Sequence, residues 1–244
     1  MIQLENLVKT LGGRRVLDGI TLCVEPGTTY VILGPSGAGK TVTLKLMIGL
    51  MRPDSGRIIV NDLDLTACDE DRLYKIRHIF GYLFQSGALI NWLNVRDNIA
   101  LPLRMNTKLH EPEIRRRVKE TLAMVELEGV EKLMPGELSG GMKKRVALAR
   151  AIVTEPQIIL YDEPTTGLDP IVAETINKLI ISIQSKIKTT SVIVTHDLRC
   201  ALTVGNRIGL MRDGKIIAEG GPEEMKDSNN PRVREFIFAT RLSE

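Results

Sequence analysis

The stretch "GPSGAGKT", residues 34–41, determines how the rest of the chain is interpreted. It fits the pattern G-x-x-x-x-G-K-[ST], with the apolar run "TYVIL" before it and the helix-like "TVTLKLMIGL" from its last residue onward. Glycines let successive backbone N–H groups turn toward a phosphate, and the N-terminus of the following helix adds favourable partial charge. Lys40 supplies a positive charge for the β and γ phosphates, and the Thr41 hydroxyl is a ligand for Mg²⁺. We therefore predict a nucleoside triphosphate site with a loop formed by Gly34, Pro35, Ser36, Gly37, Ala38, Gly39, Lys40, Thr41 and Val42.

Around this loop, the chain has the pattern of an α/β protein with a parallel sheet. The runs "QIILY" (157–161) and "SVIVT" (191–195) are apolar and bounded by polar residues, which is typical of strands buried on both faces. Near the N-terminus, "IQLENL" and "ITLCVEPG" alternate, and they predict a small antiparallel β subdomain. "RIGLMRDGKIIAEG" predicts a hairpin that turns at Asp213-Gly214.

A helical segment interrupts this strand-rich core. "EPEIRRRVKETLAMVELEG" and "SGGMKKRVALARAIV" carry apolar residues at helical spacing, and the first has a proline near its start and a glycine past its end. We expect a nucleotide-binding core from residues 1–90 and 155–221, a helical subdomain at 91–154, and a tail at 222–244 that contains the short helix-like "PRVREFIF".

Composition limits the compartment and the partners. The 244 residues carry a net charge of only +3, which gives no reason to expect nucleic acid as a partner. The three cysteines are scattered and lack C-x-x-C spacing, which favours a reducing compartment over a disulfide framework or a zinc site. No apolar stretch approaches the ~20 residues that span a bilayer, and the N-terminus does not have the pattern of a signal peptide. We expect a cytoplasmic protein, for which docking on a membrane protein stays open.

Three polar residues follow the predicted core strands. Asp162 and Glu163 come directly after "QIILY", where Asp162 is placed to hold Mg²⁺ and Glu163 to orient or deprotonate the attacking water. His196 follows "SVIVT", where its imidazole is placed to bridge the γ-phosphate and this water. The strand ends therefore predict a hydrolytic centre.

A second phosphate cradle begins at Ser139, Gly140 and Gly141, at the predicted start of a helix. One chain with one phosphate-binding loop has no second phosphate for these residues to hold. If two copies meet head to tail, the Ser139 hydroxyl and the following N–H groups cap the γ-phosphate that the other copy binds, and a two-fold interface makes two such sites. The sequence therefore predicts a dimer with composite sites.

These motifs together resemble the nucleotide-binding subunit of an ABC transporter. They are "GPSGAGKT", Gln85 in "LFQSG", "LSGGM", "IILYDE", "GLD" around Asp169, and His196, in the family's order from the first strand to about residue 221. The resemblance implies an ATPase with a P-loop NTPase (RecA-like) core, an N-terminal antiparallel β subdomain and an inserted α-helical subdomain. It also implies that Gln85 reaches Mg²⁺ and the water, that Asp169 acts across the dimer interface, and that a membrane permease docks near Gln85 and the helical insert.

Individual residues within and around these motifs indicate one branch of this family. Most transport ATPases have Gln or Glu after the two glycines, whereas this chain has Met142, and "GMKKRVALARAI" with "FQSGAL" and "NPRVREF" is similar to the ATPases of MCE-type (Mla-like) lipid transport systems. This resemblance implies phospholipid transport, an MCE-domain substrate-binding protein, a small regulatory subunit, and a peripheral location on the cytoplasmic face of the inner membrane. The family stacks adenine on an aromatic residue where this chain has Leu11, so Leu11 and Val16 offer only apolar contact.

The sequence leaves three alternative functions open. The ATPase of another ABC importer or exporter would carry the same main motifs. A soluble ABC ATPase that acts on DNA or ribosomes usually has a long coiled-coil insertion or two fused cassettes, and neither is present here. A P-loop switch would need N-K-x-D, which "NKLI" at 177–180 lacks, and a kinase would not need "LSGG".

Overall fold

The computed structural model describes residues 1–241, with side chains up to residue 239. Its strands are β1 Ile2–Leu11, β2 Arg14–Val24, β3 Thr29–Leu33, β4 Ser55–Val60, β5 Leu63–Asp64, β6 Phe80–Leu83, β7 Ile158–Asp162, β8 Thr190–Thr195, β9 Arg207–Arg212 and β10 Lys215–Gly220. Its helices are α1 Lys40–Met47, α2 Glu70–Arg77, α3 Val95–Asn106, α4 Glu111–Met124, α5 Gly140–Ile152, α6 Pro170–Ile187, α7 Leu198–Val204, α8 Pro222–Lys226 and α9 Pro231–Arg241. A short 3₁₀ helix spans Pro135–Glu137.

The chain divides into two compact units. The first unit comprises residues 1–77 and the chain from Thr190 onward, and the second comprises residues 78–189. The sequence suggested functional boundaries near residues 90 and 154 instead. That division concerns which segments bind nucleotide, and it stays a prediction.

The first unit contains a parallel arrangement around β3. Its strands lie in the order β10-β9-β3-β8, and β3 runs parallel to both β8 and β9. All residues of β3 and β8 are buried, and for β8 the apolar run "SVIVT" predicted this burial. The hairpin of β9 and β10 is antiparallel and turns at Asp213-Gly214, where both residues have positive φ. The predicted parallel core strands and this hairpin are therefore confirmed.

The N-terminal strands of the same unit form a separate antiparallel sheet. Its order is β2-β1-β4-β5. The tight turn between β1 and β2 needs left-handed backbone at two successive positions, and Gly12 and Gly13 supply φ values of 56° and 77°. Alternate residues at the start of β1 are buried, which confirms the predicted antiparallel β subdomain.

The second unit holds the helical segment and two parallel strands, β6 and β7. Helices α4 and α5 confirm the predicted helical spacing, although α4 ends at Met124, five residues before Gly129. Helix α3 includes Pro102 and starts at the cap Asn94, whose side chain accepts a hydrogen bond from the Asp97 N–H. Among residues 1–241, no helix is both long enough and apolar enough to cross a bilayer.

Candidate functional site

The predicted phosphate loop connects the end of β3 to the start of α1. Lys40 is 6% exposed, and its Nζ donates hydrogen bonds to the carbonyl oxygens of Gly34 at 2.8 Å and Pro35 at 3.1 Å. The ammonium is therefore held against the loop that the sequence assigned to phosphate. The first turn of α1 carries no acidic side chain, so the positive end of this helix is not neutralised locally.

Two glycines of this loop are required by its backbone path. A Cβ at Gly34 would lie 2.3 Å from the Met211 carbonyl oxygen, so the loop can pass β9 only without a side chain there. Gly39, the N-cap of α1, has a φ of 105°, which L-residues rarely adopt. The glycines of the motif are thus explained by close backbone approach and by left-handed geometry.

His196 lies beside this loop because β3 and β8 are neighbours. The Gly34 N–H donates to the Thr195 carbonyl oxygen at 3.1 Å, and His196 is the next residue along the chain. The His196 side chain is exposed, while the Asp197 carboxylate accepts from the Cys200 N–H and caps α7. The structure therefore brings His196 and the phosphate loop to the same edge of the sheet, and the role of His196 in hydrolysis stays a prediction.

A groove of about 260 Å³ adjoins the phosphate loop. Its lining residues from outside the loop are Arg14, Arg15, Val16, Asp213 and Gly214. Val16 lines it, as the sequence suggested for apolar contact with a base. Leu11 does not belong to the lining and is 36% exposed at the end of β1.

In the second unit, β7 ends at the two predicted carboxylates. Asp162 and Glu163 are 5% and 6% exposed. The Tyr82 hydroxyl on the neighbouring strand β6 donates to Asp162 Oδ2 at 3.2 Å. Burial, followed by the charge of Asp162, raises the pKa of Tyr82, so the phenol stays protonated and able to donate. Tyr82 thereby orients the carboxylate that the sequence assigned to Mg²⁺.

Glu163 has an unusual backbone conformation. Its φ is 50°, a left-handed value that costs a non-glycine residue on the order of 1–3 kcal/mol. The Thr166 hydroxyl donates to Glu163 Oε2 at 3.1 Å, and the Glu163 carbonyl oxygen accepts from Lys144 Nζ at 3.0 Å. These bonds hold the side chain and the strained backbone of the predicted catalytic carboxylate.

The predicted second cradle is the start of α5. Ser139 is its N-cap, and its hydroxyl oxygen accepts from the Met142 N–H at 3.2 Å. Ser139 and Gly140 are exposed and Gly141 is half-buried, and Val172 lies so close to Gly141 that an added Cβ would lie 2.6 Å from Val172 Cγ1. The structure thus presents this segment at the surface of the second unit.

Asp169 lies close to this cradle. It caps α6 by accepting from the N–H groups of Ile171 at 3.1 Å and Val172 at 3.0 Å. Since Val172 also packs against Gly141, the second unit brings Asp169 and the cradle together at the starts of two neighbouring helices.

Gln85, two residues after β6, is exposed, and its carbonyl oxygen accepts from Lys144 Nζ at 2.6 Å. Lys144 and Tyr82 also contribute to the site, and no motif of the sequence indicated either of them. Tyr82 carries a weak signal, because it lies on the strand that leads to Gln85. Lys144 carries none, because the neighbouring Lys143 has the same side chain and is exposed.

Comparison with known proteins finds one matching family and several similar sequences. The model of the ABC transporter family matches residues 17–166. The "Probable ribonucleotide transport ATP-binding protein mkl" of Mycobacterium tuberculosis is 46% identical over 241 residues, which cover 99% of this chain and 67% of that protein. The "Intermembrane phospholipid transport system ATP-binding protein MlaF" of Escherichia coli K12 is 41% identical over 237 residues, which cover 97% of this chain and 88% of that protein.

Solved structures with the same fold are also similar in sequence. A dimeric, post-hydrolysis structure of the ATP-binding cassette MJ0796 with ADP and Pi has a TM-score of 0.84 and 35% identity, and the match covers 91% of this chain and 99% of that one. The cassette cbiO1 of Clostridium perfringens, part of the transporter complex cbiONQ, has a TM-score of 0.84 and 30% identity, with 98% of each chain covered. These matches confirm the predicted α/β fold class.

Proposed function

This chain belongs to the ABC transporter family and binds and hydrolyses ATP, and we propose that the hydrolysis drives phospholipid movement through a separate membrane permease. The observation that carries the proposal is the 41% identity to MlaF, a phospholipid transport ATP-binding protein, over 97% of this chain. The methionine at position 142, directly after the two glycines of the second cradle, supports the same branch of the family.

The phosphate loop would bind the triphosphate of ATP. The Lys40 ammonium already donates to two carbonyl oxygens of the loop, so binding exchanges these acceptors for charged phosphate oxygens. Hydroxyl, amide and carboxylate oxygens suit Mg²⁺, which makes Thr41, Gln85 and Asp162 its proposed ligands. When bound, Mg²⁺ neutralises charge on the β and γ phosphates.

Water activation falls to Glu163. Its carboxylate would orient the attacking water and take its proton, and the strained but fixed backbone keeps this group in one position. His196 would hold the γ-phosphate and the water in line, and Gln85 would contact the same water. Each such group directed at developing charge contributes about 3 kcal/mol in comparable sites.

The second cradle would act on ATP held by another copy of the chain. Ser139, Gly140 and Gly141 are presented at the start of a helix, which suits an anion, and Asp169 lies beside them. Two solved structures of the cassette MJ0796, at 35% and 36% identity, are dimeric, one of them with ADP and Pi. We infer a head-to-tail dimer in which each γ-phosphate is bound by both copies.

This arrangement links ATP hydrolysis to the closing and opening of the dimer. ATP contacts more protein in the closed dimer than in the open one, so its binding shifts the population toward closure. Hydrolysis removes the phosphate that both copies hold, and the dimer opens. A permease docked near Gln85 and the helical segment would follow these two states, and we infer a peripheral location of the chain on the cytoplasmic face of the inner membrane. An MCE-domain protein and a small regulatory subunit complete the proposed assembly.

Reconstitution tests the transport proposal. The permease is first identified by its co-purification with the chain in mild detergent. The two proteins are then co-expressed, and their complex is placed in phospholipid vesicles. We expect ATP-dependent transfer of a labelled phospholipid to an acceptor, and no transfer with Glu163→Gln. The name of the mkl relatives supports a second candidate, ribonucleotide transport. ATP-dependent uptake of a labelled ribonucleotide without phospholipid transfer would replace the first candidate by the second.

A further inference from the structure

Lys144 is a buried lysine to which none of the sequence motifs assigns a role. It lies in the second turn of α5 and is 6% exposed, although lysine is rarely buried without a charged partner. Its Nζ donates to two backbone carbonyl oxygens, those of Gln85 at 2.6 Å and Glu163 at 3.0 Å. These acceptors are 59 and 19 residues away in the sequence, and both belong to residues with proposed roles in hydrolysis.

Burial and two nearby carboxylates act on the Lys144 ammonium in opposite directions. Burial lowers the pKa of Lys144, and the carboxylates of Asp162 and Glu163 oppose this effect by favouring the charged form. A charged donor forms stronger hydrogen bonds to carbonyl oxygens than a neutral one, and more so in a site with little water. Lys144 thus joins three backbone segments: α5, the segment after β6, and the end of β7.

A second cation of α5 reinforces the contact with the segment after β6. Arg150 donates to the carbonyl oxygens of Gly87 at 2.8 Å and Ala88 at 2.7 Å. Between the two cations, Ala147 lies next to Gly87: a Cβ built on Gly87 would be at van der Waals distance, 3.4 Å, from the Ala147 Cβ. Positions 144, 147 and 150 lie on one face of the helix, so this face holds the backbone from Gln85 to Ala88.

We propose that Lys144 is a positioning residue that couples the start of α5 to Gln85 and Glu163. This inference rests on the proposed function, in which Ser139 at the start of α5 contacts the ATP of the other copy. A displacement of α5 when Ser139 engages that ATP is passed through Lys144 to both residues. Hydrolysis in one copy thereby responds to the nucleotide bound by the other. Lys144 itself does not touch the reacting atoms.

Substitution at two adjacent lysines tests this role. Lys144→Met removes both hydrogen bonds at similar side-chain length, and Lys143→Met removes the same charge from an exposed neighbour on the same helix. We expect Lys144→Met to lower kcat for ATP hydrolysis by about tenfold to a hundredfold with little change in KM, because misplaced groups slow the chemical step. Lys143→Met should match the wild type, and Lys144→Arg, which retains charged donors, should recover part of the loss.

Hydrogen exchange provides a readout that does not depend on activity. In Lys144→Met, the amides of residues 84–90 should exchange faster by roughly tenfold or more, the factor that a lost hydrogen bond from a charged donor corresponds to. Exchange in α1 should stay unchanged. Should Lys144→Met fail to fold, Lys144→Gln takes its place, since its side chain is one bond shorter and cannot reach both carbonyl oxygens.

Three results would overturn the role of Lys144: wild-type kcat and exchange in Lys144→Met, an equal loss in Lys143→Met, or a rise in KM with unchanged kcat. These results are independent of the transport assay. If the reconstituted complex moves no phospholipid while Lys144→Met still lowers kcat selectively, the proposed transport function fails and the role of Lys144 stands.

Discussion

Ser139 has two roles in our account, and three substitutions separate them. In the single chain its hydroxyl oxygen accepts from the Met142 N–H and caps α5. In the proposed dimer its hydroxyl donates to the γ-phosphate of the other copy. Ser139→Ala removes both interactions, Ser139→Asn keeps a neutral cap, and Ser139→Asp keeps the cap but adds a negative charge.

The structure sets the expected stability changes. Loss of the cap in Ser139→Ala should cost about 1 kcal/mol, which lowers Tm by about 2–4 °C in a chain of this size. The first turn of α5 has no acidic residue and is followed by Lys143, so an aspartate at the N-cap interacts favourably with the helix dipole. Ser139→Asp should therefore be as stable as the wild type or more stable, by about 0.3–1 kcal/mol.

Activity should follow a different order. Ser139→Ala loses one donor to the developing charge, which typically lowers kcat by about 10²–10³. Ser139→Asp should be at least as inactive, because its carboxylate repels the γ-phosphate and prevents closure of the dimer. Ser139→Asn, which has an N–H donor, should retain more activity than either. Thermal unfolding by circular dichroism and ATPase rates at saturating ATP and two protein concentrations measure both effects. Wild-type turnover in Ser139→Asp would refute the composite site.

Three further substitutions test single groups. Lys40→Ala should abolish ATP binding, measured with a fluorescent nucleotide, because it removes the buried ammonium of the phosphate loop; undiminished binding would contradict its role. Glu163→Gln should keep ATP binding but stop hydrolysis, so that size-exclusion chromatography with ATP gives a stable dimer; a monomer at saturating ATP would count against the mechanism. Tyr82→Phe removes the hydroxyl that donates to Asp162 and should raise the Mg²⁺ concentration for half-maximal ATPase activity by about tenfold, whereas an unchanged Mg²⁺ dependence would rule out an orienting role.

Much of the fold was predictable because its signals are local. The runs "QIILY" and "SVIVT" predicted strands buried on both faces, and all residues of β7 and β8 are buried. Asp213-Gly214 predicted the turn of a hairpin, and both residues adopt positive φ there. Turn chemistry and apolar periodicity act over a few residues, so they can be recognised without the rest of the molecule. Helix α3 was not delimited because Pro102, a residue that usually ends helices, lies inside it.

For the candidate site, too, part of the information is local and part is not. The chemical identity of the phosphate loop, Asp162, Glu163, His196 and the second cradle was determined by the sequence alone, since each motif lies next to a strand or helix end that positions it. The comparisons confirm the family and the ATPase activity that these motifs predicted, whereas the role of each residue stays a prediction.

Only the tertiary structure distinguished Lys144 from Lys143. The two lysines are adjacent and chemically identical, but one is buried against carbonyl oxygens that are 59 and 19 residues distant, and the other faces solvent. The same holds for Tyr82, whose hydroxyl contacts Asp162 80 residues away. Burial and hydrogen-bond partners depend on which distant segments pack together, and that information is absent from any local pattern of residues.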